Sequence, residues 1–290
     1  MAEIQVATPT TRSVPRQGGR WINTIPIALS LLVISVVVAF AVLGELIAPR
    51  NPNQQNLFIG AVAPNDEFLL GTDQIGRDIL SRIIAGARTA LVGPMLVAVG
   101  GMTIGTMLGM LGGYIGGRLD ALIMRWVDLM YSLPALLIAI VVIGVIGGGY
   151  VMAVLVLIIL FSPADTRIVR AEALRQRPLP YIEAARTLGV PTWRIMFVHV
   201  FPNVLPVVVS YVFLDFAFGL VSLSGLSFLG LGVPPGTPDW GRMLFENRTV
   251  LFVNPLAAIA PGLMIVAAAA SMNILGDWLY ERFASSGAGR

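Results

Sequence analysis

The chain has 290 residues, of which 56% are hydrophobic and only 12% charged, with a mean hydropathy of +0.82; soluble domains carry roughly 25% charged residues, so much of this surface must face lipid. It has no cysteine and one histidine, His199, which excludes disulfides, thiolate nucleophiles and multi-histidine metal clusters. All 19 basic residues are arginine, so there is no Walker A lysine and the chain is no P-loop ATPase; the net charge of +3 fits arginine gathering on the cytoplasmic side of a membrane protein better than nucleic-acid binding.

Residues 1–23 are polar and read as a cytoplasmic N-terminal tail. Six apolar stretches follow, near 24–48, 89–113, 121–146, 150–165, 203–229 and 254–276, against the roughly 20 residues a bilayer crossing needs. Ala39-Phe40-Ala41 has the look of a signal-peptide cleavage site, but the apolar run continues to Ala48 and reads as a retained anchor. The expectation is an all-α polytopic membrane protein with six transmembrane helices. Its membrane domain spans 24–280, and a cytoplasmic tail spans 281–290. With both termini inside, 13 of the 19 arginines fall in cytoplasmic segments, as the positive-inside bias requires.

Between the first two spans, residues 71–81 bring Thr72, Asp73, Arg77 and Asp78 close together. They read as a charge-paired external helix capping the bundle, with substrate contact as the second reading. The second span carries Gly101, Gly105, Gly109 and Gly113, one every four residues. That spacing puts a strip of bare backbone on one helix face, for tight helix packing or for a face that slides during gating. Asp128, in the third stretch, lies near the cytoplasmic face and reads as structural.

The polar stretch 166–202, between spans four and five, is predicted to hold a short helix exposed outside the membrane. Pro178 and Pro180 stop what precedes it, Glu183 and Arg186 suit the helix dipole, and Gly189 suits a left-handed C-terminal turn. Ala184 and Ala185 give it a flat face. Two turns of helix are marginal alone in water, so it must lean on the protein's own cytoplasmic ends or on a partner. In the fifth span, Asp215 is a carboxylate that costs about 2.5–3.5 kcal/mol to insert in mid-bilayer; it reads as lining a path or as an interfacial helix-end acid. Ser222 and Ser224 suit a polar path or a helix–helix contact.

Glu183-Ala184-Ala185, Gly189 and the ending His199-Val200-Phe201-Pro202-Asn203 together resemble the EAA motif of ABC importer permeases. In this family the lone histidine reads as a structural part of that ending. The stretch 70–82 is similar to a signature of the dipeptide/oligopeptide C-type permeases. So are Leu226-Ser227-Phe228-Leu229-Gly230-Leu231-Gly232 with Pro238-Asp239-Trp240-Gly241, and Asn273-Ile274-Leu275-Gly276-Asp277. Where the family commonly has Glu-Ala-Ser, this chain has Leu223-Ser224-Gly225, and Asp215 stands about two turns earlier.

The resemblance implies a permease subunit that breaks no bond and forms half of a translocation path for di- or oligopeptides. It implies a coupling helix at 181–188, with Glu183, Ala184, Ala185, Arg186, Gly189 and Pro202 meeting the ATPase. It further implies a homologous second permease, two ATPase subunits carrying the ATP and Mg, an extracytoplasmic substrate-binding protein, and a bacterial inner membrane. No cofactor is expected on this chain. Dipeptides, longer peptides, glutathione and nickel complexes all travel through permeases of this appearance, and the separate delivery protein usually decides among them. The alternative is a stand-alone secondary transporter. That class needs more mid-span charge and an internal repeat, neither of which is evident, and it has no use for the exposed helix. An intramembrane enzyme would be left with only Asp128 and Asp215, without supporting motifs.

Overall fold

The computed structural model describes residues 20–287; residues 1–19 and 288–290, most of the expected N-terminal tail and the end of the C-terminal one, lie outside the described residues. Ten α-helices are described. They are α1 (Arg20–Ile47), α2 (Ile79–Met110), α3 (Gly117–Tyr131), α4 (Ala135–Ile146), α5 (Tyr150–Gln176), α6 (Pro180–Thr187), α7 (Thr192–Arg194), α8 (Phe201–Phe228), α9 (Trp240–Glu246) and α10 (Leu256–Gly287). Wider π-helical turns extend α2 through Leu111–Ile115 and join α7 to α8 through Ile195–Val200. Among the described residues there is no strand, only an isolated bridge between Thr72 and Asp78.

Five segments are long and apolar enough to cross a bilayer: Thr24–Gly44, Ile79–Ile115, Tyr150–Gln176, Thr192–Phe228 and Leu256–Phe283. The expected third span is not straight. α3 and α4 meet at 80°, and they make a sixth crossing only as a bent pair. Pro134 has no N–H to donate and biases Leu133 away from helical geometry, so the chain breaks at 132–134. The 12 residues of α4, about 18 Å of helix, are too short to cross roughly 30 Å of hydrocarbon alone.

Two ends of the bundle follow from the helix directions. At one end the Tyr150 hydroxyl donates to the Thr89 carbonyl, and the Trp240 indole donates to the Ile83 carbonyl at 2.9 Å. The loops 48–78 and 229–255 collect there. At the other end α6 packs with Met110 and Tyr114, and α1 starts and α10 finishes on that same side. Among the described residues, the start of α1, the end of α10 and the α6 helix therefore lie at one end of the bundle.

The glycine ladder is the seam between α2 and α5. A methyl at Gly109 would stand 2.8 Å from the Arg170 nitrogen and the Thr166 carbonyl, and one at Gly113 would stand 2.7 Å from the Arg170 carbonyl. The two backbones touch along this strip, so only glycine fits there. Prolines within the spanning helices free carbonyls that other side chains take up. Pro163 leaves the Ile159 carbonyl unpaired and the Ser162 hydroxyl donates to it at 2.9 Å. Pro261 does the same at Ala257, whose carbonyl accepts from Asn247 Nδ2 at 2.8 Å.

Candidate functional site

At the α6 end, Pro180 opens the helix where a missing N–H costs nothing, and Gly189 closes it at φ +74°. Ile182 and Ala185 are buried against Met110, Tyr114, Ile195 and Val200. The predicted flat alanine face is therefore divided: Ala185 turns into the protein's own core, while Glu183, Ala184 and Arg186 remain exposed. Arg186 Nε donates to the Tyr114 hydroxyl at 3.2 Å, which ties the helix to the end of the second span. The Tyr181 hydroxyl donates to Gln176 Oε1 at 2.8 Å and accepts from Asn203 Nδ2. Beside this face Leu188 and Trp193 are 81% and 64% exposed. Pro202 sits in the first turn of α8, and the His199 carbonyl accepts from Asn203 at 2.7 Å.

At the opposite end, Thr72, Asp73, Arg77 and Asp78 are buried and bonded to the protein itself. They do not form the expected helix but a tight turn, bounded by Gly71 and Gly76 at positive φ. Asp73 Oδ2 accepts from Arg77 Nε at 2.5 Å, and Asp78 Oδ2 caps α2 by accepting from the Ser81 N–H at 2.8 Å. The Thr72 hydroxyl donates to the Gly60 carbonyl at 2.6 Å. Arg77, Arg82 and Arg242 converge on Glu246, at 2.7, 3.3 and 3.1 Å. Burial disfavours charge on Glu246, but Arg242, Arg77 and Arg82 outweigh it and hold its carboxyl below the ordinary carboxylate range. Asp239, by contrast, is pushed up by burial, although several hydrogen bonds favour its charged form.

Inside the bundle, Asp215 is the fifteenth of the 28 residues of α8, which places it mid-helix rather than at a helix end. It faces Asp165 of α5, and the two carboxyl groups are within hydrogen-bonding reach. Both line a cavity of about 630 Å³ whose wall also includes Ser222, Tyr211 and the α3–α4 break. Ser224 is buried elsewhere, its backbone against Gly241, and does not line that cavity. Asp128 is exposed and paired with Arg167 at 2.5 Å, a lateral tie between α3 and α5.

Residues 101–286, well over half of the chain, match the family described as the binding-protein-dependent transport system inner membrane component. The chain belongs to that family. It is 39% identical over 218 residues to the glutathione transport system permease protein of Pectobacterium atrosepticum, covering 75% of this chain and 72% of that protein. It is 35% identical over 257 residues to the di/tripeptide transport system permease protein of Pseudomonas aeruginosa, covering 87% and 85%. A dipeptide transport system permease protein of Haemophilus influenzae is 33% identical over 259 residues, covering 87% and 88%. As a member of this family the chain is a multi-span permease component of an ABC importer, a carrier rather than a catalyst; a stand-alone secondary transporter is not favoured.

Two residues of this permease escaped the sequence reading. Asp165 sits where the fourth apolar stretch gives way to the arginines of α5, so it looks like a boundary residue. The only hint was an acid inside Pro163–Thr166, still on the helix. Glu246 lies in a polar loop region whose sequence gives no sign that three arginines, two of them more than 150 residues away, converge on it.

Proposed function

We propose that this permease is one half of a peptide-importing path, paired with a homologous permease and driven by two ATPase subunits that bind α6. The observation carrying the proposal is the divided face of α6. Ile182 and Ala185 fix the helix rigidly to the spanning core, while Glu183, Ala184, Leu188 and the neighbouring Trp193 stay exposed. A helix anchored on one side and bare on the other transmits a push without melting. Arg186 and Gly189 set its tilt through the Tyr114 contact and the positive-φ turn, and Pro202 begins the span that receives the motion. ATP and Mg belong to the partner ATPases in this reading. A substrate-binding protein delivers the solute to the opposite end. The membrane is the bacterial inner membrane, with both termini cytoplasmic as the arginine bias favours.

Short peptides are the solute class because the relatives named above carry dipeptides, di- and tripeptides or glutathione. Asp215 and Ser222, on the cavity wall, are the residues we assign to the path. The external Thr72–Asp78 motif is assigned to holding the outer end shut around its own charges, not to contacting solute.

The test is co-purification of tagged permease from native membranes, with wild type compared against Glu183→Lys and Gly189→Pro. The expected result is that a second permease and an ATPase subunit accompany wild type and that the variants lose the ATPase alone. Retention of the ATPase by both variants would remove α6 from the interface.

A further inference from the structure

The Asp165–Asp215 pair has acceptors with nothing to accept. Both oxygens of Asp165 and Oδ2 of Asp215 are buried without a hydrogen-bond donor, and Asp165 and Asp215 are 0% and 8% exposed. Neither carboxylate can donate to the other, so their contact becomes a hydrogen bond only when the pair holds at least one proton. With a single shared proton the pair carries one net negative charge. None of the ion pairs among the described residues brings an arginine to it, and an uncompensated charge at membrane depth is costly.

The surroundings leave a ligand only one side from which to approach the pair. Gly101 and Gly105 of α2 back Asp165 closely; a methyl on Gly101 would stand 3.2 Å from Asp165 Oδ2. No donor can enter from there. The open side is the cavity of about 630 Å³, a volume suited to a small solute, where Phe161, Tyr211 and Phe218 supply aromatic walls. Aromatic faces and a single negative charge together favour an organic cation.

We propose that Asp165 and Asp215 form a monocation-binding point in the path, which receives the ammonium group of the transported solute. The inference rests on the path reading above and adds a chemical class to it. One ammonium neutralises the proton-sharing pair without any proton having to leave. Its N–H groups supply the donors that the buried oxygens lack.

The first measurement is protection of the intact, purified transporter from a carbodiimide, which reacts with protonated carboxyl groups in apolar surroundings. Modification of Asp165 or Asp215, mapped by mass spectrometry, should fall at least threefold with dialanine and stay unchanged with N-acetyl-dialanine. No modification of either residue, or equal protection by both compounds, would overturn the proposal. The second measurement is uptake of dialanine by the complete transporter carrying Asp165→Asn or Asp215→Asn, each of which keeps the size of the side chain and a donor between the two groups. Uptake should fall at least tenfold, with the ATPase subunit still co-purifying. Uptake equal to wild type, or loss of the ATPase with the uptake, would show a structural role instead. Dialanine import by wild type without protection defeats only this inference, whereas wild type without an ATPase partner defeats the importer reading beneath it.

Discussion

The protein holds two sets of acids away from water, one at each depth of the bundle. In the cap opposite α6, Asp73, Asp78 and Glu246 are met by Arg77, Arg82, Arg242 and backbone N–H groups, so that each acid has donors. Deep between α5 and α8, Asp165 and Asp215 have only each other. Glu246 is partly buried and the other four are buried, yet the first set is closed by its own arginines and the second takes no donor from this chain. A buried charge whose complement lies in the same chain holds the fold. One whose complement is missing points outward, to something the protein meets.

The comparison breaks first at Glu246. Glu246→Ala should leave Arg82 buried without an acid and Arg77 with Asp73 alone, and cost about 3 kcal/mol, read as a lower thermal midpoint of the detergent-purified permease; an unchanged midpoint would mean the cap is not charge-locked. Gly105→Ala sharpens the other side. Its methyl would stand 2.9 Å from the Thr166 nitrogen and overlap the Asp165 side chain, so about 2 kcal/mol is expected to be lost together with carbodiimide modification of Asp165.

Gly189→Ala, at φ +74° with open space around it, should cost about 1 kcal/mol from backbone conformation alone and weaken ATPase retention without touching either acid set. The pH response separates the sets further. Because Glu246 is held below its ordinary value of 4.5, its stabilising contribution is complete above that value and disappears as pH falls through the lower folded value. The thermal midpoint should therefore drop on acidification in wild type, and less in Glu246→Gln. The smallest effect belongs to Asp165→Asn, which exchanges a shared proton for an amide donor. Its thermal midpoint should move less than that of any variant above, and a large loss there would erase the contrast.

The spanning helices were legible because a bilayer leaves a simple mark: a long apolar run. The α6 helix was legible from Pro180 and Gly189, which fix its ends locally. The break at 132–134 was missed because residues 121–146 read as one apolar stretch, although α3 carries Arg125 and Asp128 and α4 is uniformly apolar, and hydropathy carries no direction. The glycine ladder announced a close contact but not with which helix, since partners across a bundle leave no trace in local spacing. For the same reason Asp215 could be singled out alone, while Asp165, 50 residues earlier, could be joined to it only in three dimensions. The division of Ala184 from Ala185 was likewise invisible, because which side of a two-turn helix faces its own core is set by Met110 and Tyr114, far away in sequence.

The seam of glycines also has a mechanical meaning. Backbones in close contact from Gly105 to Gly113, about two helical turns, leave no side chains of α2 between it and α5 there, so the two are joined like parts of one beam. That beam runs from the Asp78 cap to Tyr114, 37 residues from Ile79 to Ile115 or roughly 55 Å. Arg186 grips it at one extremity through Tyr114, and the arginine-locked cap weights the other. The α6 contact and the arginine-locked cap therefore stand at opposite ends of one continuous segment, with Asp165 seated against its glycines between them.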